Sequence, residues 1–387
     1  MQRHAYIEKI KKCFQVNPIC AILGPRQCGK TSLALAFAKN QASLFHHFDL
    51  ENHRHAKILQ ENPLLTLEEL DGLIILDEIQ RVPNLFVTLR YLVDHYQKKI
   101  LILGSAHRDL IQQSSESLAG RISYLELTPF TLTEVIDQYP KIDRHFTFGG
   151  FPKAFLQNDF KLAHFWLESF IQTFIERDLG CLGFNINHGH MRHLWFLLAH
   201  YHGQLVSYTE IGGQVGISHT TVKKYIELLA GTFVVRILRP FHQNITKRQI
   251  KSPKVYIRDS GVCMHLLDMT ERSLIGHPKL GALWEGYALE EIIRFLEVRD
   301  ENCYFWRTEH GAELDLLLMI QGKKIGFEFK YSDVASLTRS MRASVDDLQL
   351  DHLYVITPKG IHYNLDAKIF CYGLKEFFVF AKDFFFE

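Results

Sequence analysis

Ile19-Cys-Ala-Ile-Leu23, followed by Gly24-Pro-Arg-Gln-Cys-Gly29-Lys30-Thr31 and then Ser32, is the stretch whose reading decides the fold. Residues 19–23 are all apolar and read as a strand. The octet after them matches G-x-x-x-x-G-K-[ST], and residues 32–39 read as the helix it opens. Glycines let the backbone wrap closely, so that its N–H groups and the positive end of the helix face an anion. Lys30 then supplies charge to the β- and γ-phosphates of a nucleotide, and the Thr31 hydroxyl is placed to ligate Mg²⁺. The expected nucleotide cradle is Gly24, Pro25, Arg26, Gln27, Cys28, Gly29, Lys30, Thr31 and Ser32, with ATP and Mg²⁺ as cofactors.

Working outward, Leu73-Ile-Ile-Leu76 is an apolar strand that delivers Asp77 and Glu78 to its end. Asp77 is expected in the magnesium shell, and Glu78 is placed to polarise the attacking water. Further apolar runs at 44–49, 100–103 and 122–127 are separated by stretches long enough for crossover helices. The pattern predicts an α/β fold: a P-loop NTPase parallel sheet covered by helices on both faces, over residues 1–135.

These motifs resemble those of the AAA-type ATPases, and more closely a prokaryotic family that joins such a module to a C-terminal domain of unknown function. The resemblance rests on the octet, on Leu76-Asp-Glu-Ile-Gln80, on Ile102-Leu-Gly-Ser105 and on Ala119-Gly-Arg121 with Leu127-Thr-Pro-Phe130. Ile175-Glu-Arg-Asp178 belongs to it too. It implies that Ser105 is a polar sensor beside the γ-phosphate and that Arg121 is a γ-phosphate or inter-subunit arginine. Arg177 is flanked by Glu176 and Asp178, which suggests a structural ion pair.

Residues 136–202 carry helical spacing (Phe165, Leu167, Ile171, Ile175) and read as a connector. In 203–262, Ser207 and Ser218 cap two short helices, and the second places Val222, Ile226 and Leu229 on one face. That is helix-turn-helix spacing, and the strands expected after it, at 233–240 and 255–257, complete a winged helix. Gly212 and Gly213 depart from the usual pattern. Arg236, Arg239, Lys247, Arg248, Lys251, Lys254 and Arg258 lie in one stretch without an acid. Lys247, Arg248, Lys251 and Lys254 are therefore candidate contacts to DNA or another nucleic acid.

Residues 263–387 read as a second α/β unit. Glu285 on a helix, Asp315 on a strand and Glu328-x-Lys330 on the next resemble a restriction-endonuclease-like core. Glu328 and Lys330 alternate, so they share a face. Asp315 and Glu328 are the candidate metal ligands of this domain, and Lys330 would polarise water. Glu290, Glu291 and Glu313 are rivals to Glu285. A terminal run rich in phenylalanine, 377–386, reads as an element docked on this domain.

The formal net charge is +1, so nucleic-acid affinity would need a local patch. Seven scattered cysteines, with no Cys-x-x-Cys pair, argue against a disulfide framework and fit a reducing, cytoplasmic compartment. No window approaches eighteen apolar residues, and the first residues lack the apolar core of a signal peptide. The leading expectation is an ATP-driven enzyme acting on or near nucleic acid, with a homo-oligomer left open. One alternative is a nucleotide-dependent signalling or scaffold switch whose last domain binds without cleaving. Another, a small-molecule kinase, leaves the C-terminal half idle.

Overall fold

The computed structural model describes residues 3–41, 44–105, 118–181, 186–242, 252–270, 273–274, 276–360 and 362–385. They divide into two units. One falls within Met1–Phe130, Arg177–Phe184 and Gly231–Phe233; the other within Thr131–Glu176, Asn185–Ala230 and Val234–Glu387.

The first unit is built on β1 (Ile19–Leu23), β2 (Phe45–Asp49), β3 (Leu73–Asp77), β4 (Lys99–Gly104) and β5 (Ile122–Glu126). All neighbours pair in parallel, in the order β2-β3-β4-β1-β5. Alternate residues feed opposite cores. Cys20, Ile22, Ile75, Leu101 and Leu103 meet Ile7, Ile10, Leu33 and Phe37 on one face. Ile19, Ala21, Ile74, Leu76 and Ile102 meet Leu59, Phe86, Leu89 and Leu92 on the other. Apolar residues on both faces are what a parallel sheet between helices requires. Because β4 lies between β1 and β3, the chain leaving the carboxyl ends of all three gathers at one edge.

In the second unit, helices Ile142–Phe148, Phe160–Thr173 and His188–His200 precede β6 (Gln204–Leu205). The helix Tyr208–Val215 follows, with the Ser207 side chain accepting from the Glu210 N–H at its start. A Cβ on Gly212 would stand 2.7 Å from the Ile217 carbonyl oxygen, so the tight turn itself demands the glycine. The next helix, His219–Gly231, buries Val222, Tyr225, Ile226, Leu228 and Leu229. Then come β7 (Val235–Pro240) and β8 (Lys254–Ile257), paired antiparallel with β6 on the far side of β8.

The remaining strands are β9 (Cys303–Arg307), β10 (Glu313–Ile320), β11 (Lys323–Phe329), β12 (His352–Thr357), β13 (Tyr363–Asp366) and β14 (Ile369–Gly373). β7 pairs with β9, Arg239 opposite Tyr304, so one nine-stranded sheet runs β13-β14-β12-β11-β10-β9-β7-β8-β6. The sheet thus continues across residue 262. The terminal helix Leu374–Phe385 docks as expected, with the Phe377 ring 5.5 Å from Phe327 and 5.2 Å from Tyr354 between centroids. Among the described residues no helix is long and apolar enough to cross a membrane, and the six described cysteines are free thiols.

The basic stretch behaves differently from its sequence. Lys247, Arg248 and Lys251 lie outside the described residues. Arg236, Lys254 and Arg258, however, are buried at 4%, 2% and 8% exposure. Their acids come from the following segment, on the helix Leu280–Phe295 and beyond it. Glu290, 2% exposed, meets Arg236, Arg258 (3.1 Å) and Arg294 (3.4 Å), and Arg236 also meets Asp300. These arginines therefore neutralise the interior of their own unit.

Burial alone would raise the Glu290 carboxyl, but the three guanidiniums hold it well below the usual carboxylate range. A lowered folded pKa contributes stability above the ordinary glutamate value, and that stability is lost as pH falls below it. Glu290→Gln leaves buried guanidiniums without their countercharge and should destabilise the fold by about 3–5 kcal/mol. In urea unfolding, the gap between wild type and Glu290→Gln should stay constant from neutral pH down to about the ordinary glutamate pKa and narrow as pH falls below it.

Candidate active site

β1 runs into the octet and the helix Lys30–Gln41 leaves it. A Cβ on Gly24 would stand 2.1 Å from the Leu127 carbonyl oxygen, so β5 and the loop approach too closely for any other residue. The loop turns through Gln27 in the left-handed region, φ 61°. Cys28 is buried and its thiol faces the Leu127 carbonyl at 3.4 Å, so within the cradle it packs inward. Lys30 is 6% exposed and donates to the carbonyls of Gly24 (3.0 Å) and Pro25 (2.9 Å).

Thr31 donates from Oγ1 to Asp77 Oδ2 at 2.6 Å, which ties the two motifs together. Burial would raise the Asp77 carboxyl, yet His47, Thr31 and the charge of Lys30 hold it below its usual range. His47 Nε2 stands 3.6 Å from Asp77 Oδ2. Beyond Asp77, Glu78 adopts φ 56° and ψ 48°, uncommon for a residue with a side chain. Gln80 Nε2 donates to Glu78 and to Ser105 Oγ (3.0 Å), and Ser105 donates to Glu78 Oε2 at 3.4 Å. Ser105 follows β4, so the sheet order brings Lys30, Thr31, Asp77, Glu78 and Ser105 together at one edge.

Two buried polar atoms at this edge, His47 Nε2 and Gln80 Oε1, have no hydrogen-bond partner among the described residues. The Thr31 hydroxyl and the Asp77 carboxylate, 2.6 Å apart, supply the hard oxygens of this corner. That donor set suits a magnesium ion that keeps several waters.

Arg26 has partners that sequence spacing did not reveal. Its guanidinium meets Asp178, lies 2.6 Å from Glu51 Oε1 and 4.0 Å from Glu78 Oε2. Glu51 also faces Arg81 and Arg177, each at 3.6 Å. The ion pairs expected within 176–178 are thus made elsewhere: Arg177 with Glu51, and Asp178 with Arg26. One signal was legible. Glu51 lies just past β2, at the carboxyl edge of the sheet where ligands gather.

Arg121 does not join the site in this chain. It precedes β5, and its carbonyl accepts from the N–H of Ile19, the first residue of β1. The octet begins after the last residue of β1, roughly 16 Å farther along the sheet. Arg121 instead holds Asp94 at 2.6 and 2.9 Å.

The acidic group of the second unit assembles around an unexpected residue. Asp315 and Glu328 lie next to the Leu316↔Phe327 pair on adjacent strands, and the charge of Asp315 acts on Glu328, so the two carboxylates stand close together. Asp315 Oδ2 accepts from the Phe329 N–H at 3.0 Å, and Lys330 donates to Glu328 at 3.0 Å. Burial pushes both carboxyls up; next in effect are the charge of Glu285 on Asp315 and that of Asp315 on Glu328. Of the rivals, Glu313 joins Glu285 here. Glu290 faces arginines, and Glu291 accepts from the Leu132 N–H at 2.6 Å.

At the centre sits Lys254 Nζ, 2.7 Å from Glu313, 3.2 Å from Glu285 and 3.8 Å from Asp315. This corrects its assignment as a nucleic-acid contact: its side chain is 3% exposed. Among the described residues no group of three or more His, Cys, Asp or Glu is arranged to hold a metal. Of the expected metal pair, Asp315 is faced by Lys254 and Glu328 by Lys330.

Comparison with known proteins places these features in context. A model described as an AAA domain matches residues 16–136, and two described as domains of unknown function match 139–273 and 280–377. Two curated relatives, an uncharacterized protein of Mycobacterium tuberculosis and one of Mycobacterium bovis, are each 41% identical over 361 residues, covering 92% of this chain and 80% of theirs. Among solved structures, a Walker-type ATPase of Pyrococcus abyssi aligns with 69% of this chain and 95% of its own, at 15% identity and TM-score 0.45. The RuvB Holliday junction branch migration motor of Thermotoga maritima aligns with 61% and 89%, at 17% identity and TM-score 0.28. At these scores neither alignment bears on the activity.

Since Arg121 lies at the far edge, Arg121→Ala should leave ATP affinity within about twofold of wild type, a change of less than 0.5 kcal/mol. Equilibrium titration with a fluorescent ATP analogue measures it, and a tenfold loss would return Arg121 to the nucleotide site.

Proposed function

The chain belongs to one family with the two mycobacterial proteins and carries an AAA domain, and from that premise we propose that it is a Mg²⁺-dependent ATP hydrolase. The observation that supports this best is the convergence of Lys30, Thr31, Asp77, Glu78 and Ser105 at the carboxyl edge of β1, β3 and β4. Lys30 exchanges the Gly24 and Pro25 carbonyls for β- and γ-phosphate oxygens, so its charge is offset by carbonyls until substrate arrives. Thr31 and Asp77 would hold Mg²⁺, which when bound neutralises phosphate charge. Glu78 orients and polarises the attacking water, with its carboxylate held by Gln80 and Ser105. Arg26 keeps Glu51 and Asp178 at the rim of the cradle.

For the chain as a whole we infer four modules: the ATPase at 1–135, a helical connector at 136–202, a winged helix at 203–262 and an endonuclease-like domain at 263–387. Helix Leu280–Phe295, then β9, β10, β11, helix Arg339–Leu348 and β12 follow the order of such a core, which supports the last assignment. Order alone carries no activity. A nucleic-acid role is favoured by one feature: the helix His219–Gly231 exposes His219, Thr220, Lys223 and Lys224 along one side.

Lys30→Ala should abolish ATP binding. Glu78→Gln should bind ATP and lose turnover by about 10²–10⁴-fold, because the amide cannot act on water. In EDTA, wild-type affinity should fall to that of Thr31→Val measured with Mg²⁺. Wild-type turnover by Lys30→Ala would refute the assignment. For the nucleic-acid role, replacing Lys223 and Lys224 by alanine should flatten the salt dependence of DNA binding by about two units at most. An unchanged slope assigns that helix to packing or protein contact.

A further inference from the structure

The restriction-endonuclease-like reading implies a divalent metal between Asp315 and Glu328, and the residues present do not fit one. β8 brings Lys254 to the Asp315 side of that pair, while Lys330 meets Glu328 at 3.0 Å on the other. Lys254 Nζ has Glu313 Oε1 at 2.7 Å, Glu285 Oε1 at 3.2 Å and Asp315 Oδ1 at 3.8 Å. These carboxylates come from the helix Leu280–Phe295 and from β10, so of the two expected metal ligands Lys254 holds Asp315 and leaves Glu328, on β11, to Lys330. An ammonium has three donors and no acceptor, so it satisfies acids as a cation does but cannot bind water as a Lewis acid does.

Sterics and charge both exclude a metal beside it. Mg²⁺ needs oxygens at about 2.0–2.1 Å in near-octahedral array, and an ammonium 3.8 Å from Asp315 Oδ1 would face a double positive charge across a few ångströms. Nor is Lys254 poised to swing out. Its side chain is 3% exposed, its strand pairs with both β6 and β7, and its Nζ lies 5.6 Å from the Phe305 ring centroid. Tyr256, two residues on along β8, donates to Glu285 at 2.6 Å, so the same strand fixes the acid as well as the base.

We propose that Lys254 is a built-in replacement for the catalytic metal, which makes the C-terminal pocket a closed, non-cleaving site joined through β8 to the helix-turn-helix segment. The inference rests on the endonuclease-like reading of the domain and deepens it. It favours the switch over a nuclease as the role of this half of the chain, independently of ATP turnover at the other site.

The test uses full-length, nucleotide-free protein in an Asp77→Asn background, so that Mn²⁺ uptake does not report on the ATPase domain. Mn²⁺ binding is read from the loss of its free electron paramagnetic resonance signal. The background protein should take up no Mn²⁺. Adding Lys254→Met, of similar volume and without charge, should open a site at least tenfold tighter than any residual uptake, and further addition of Asp315→Asn should remove it. If the background protein itself binds Mn²⁺ in an Asp315-dependent way, the replacement is refuted while the endonuclease-like reading stands. If neither protein binds Mn²⁺, the pocket is no metal locus and the endonuclease-like reading fails with it. Should Lys254→Met not fold by circular dichroism, Lys254→Gln takes its place with the same outcomes.

Discussion

The position of β4 between β1 and β3 is the constraint on which the nucleotide edge depends. Parallel strands point their carboxyl ends the same way, so a central strand flanked by these two neighbours brings three separate loops together. The 2.6 Å bond from Thr31 to Asp77 and the contacts among Glu78, Gln80 and Ser105 follow from that order. They span 46, 2 and 25 residues of chain, so local structure alone could not have made two of them. The left-handed backbone at Glu78 is part of the same arrangement: it turns the chain out of β3 so that the carboxylate faces Ser105.

A different principle organises the second unit. Its interior is crowded with charge, much of it answered from a distant part of the chain. Glu290 is surrounded by Arg236, Arg258 and Arg294, while Lys254 is surrounded by Glu285, Glu313 and Asp315. Burial makes such groups costly when single and tolerable when matched. Arg236 on β7, Lys254 on β8 and Arg258 just past it face Glu285 and Glu290 of the helix Leu280–Phe295, which also carries Arg294, and Glu313 and Asp315 of β10.

This matching also changes the meaning of the basic stretch. As sequence, seven cations without an acid resemble a footprint for phosphates. In three dimensions at least three of them are consumed inside the fold. The exposed side of the helix His219–Gly231 carries Lys223 and Lys224, so surface charge in this segment is placed on the helix as well as on the hairpin.

The sequence by itself determined what short-range pattern controls. The octet, the apolar strand before Asp77 and Glu78, the alternation of core residues and the Glu-x-Lys pair were all readable, because strand and turn preferences act over a few residues. That Asp315 and Glu328 lie on neighbouring strands was legible, but whether they face one another depends on register. What only the tertiary structure decided was the choice of partners. Whether Arg26 meets Asp178, 152 residues away, whether Arg121 stands at the near or far end of β1, and whether Lys254 meets solvent or Glu313 depend on strand order and register. The physical reason is that a charge carries no address along the chain. Its partner is whichever opposite charge the packed sheet brings within a few ångströms, and that is set by the whole fold.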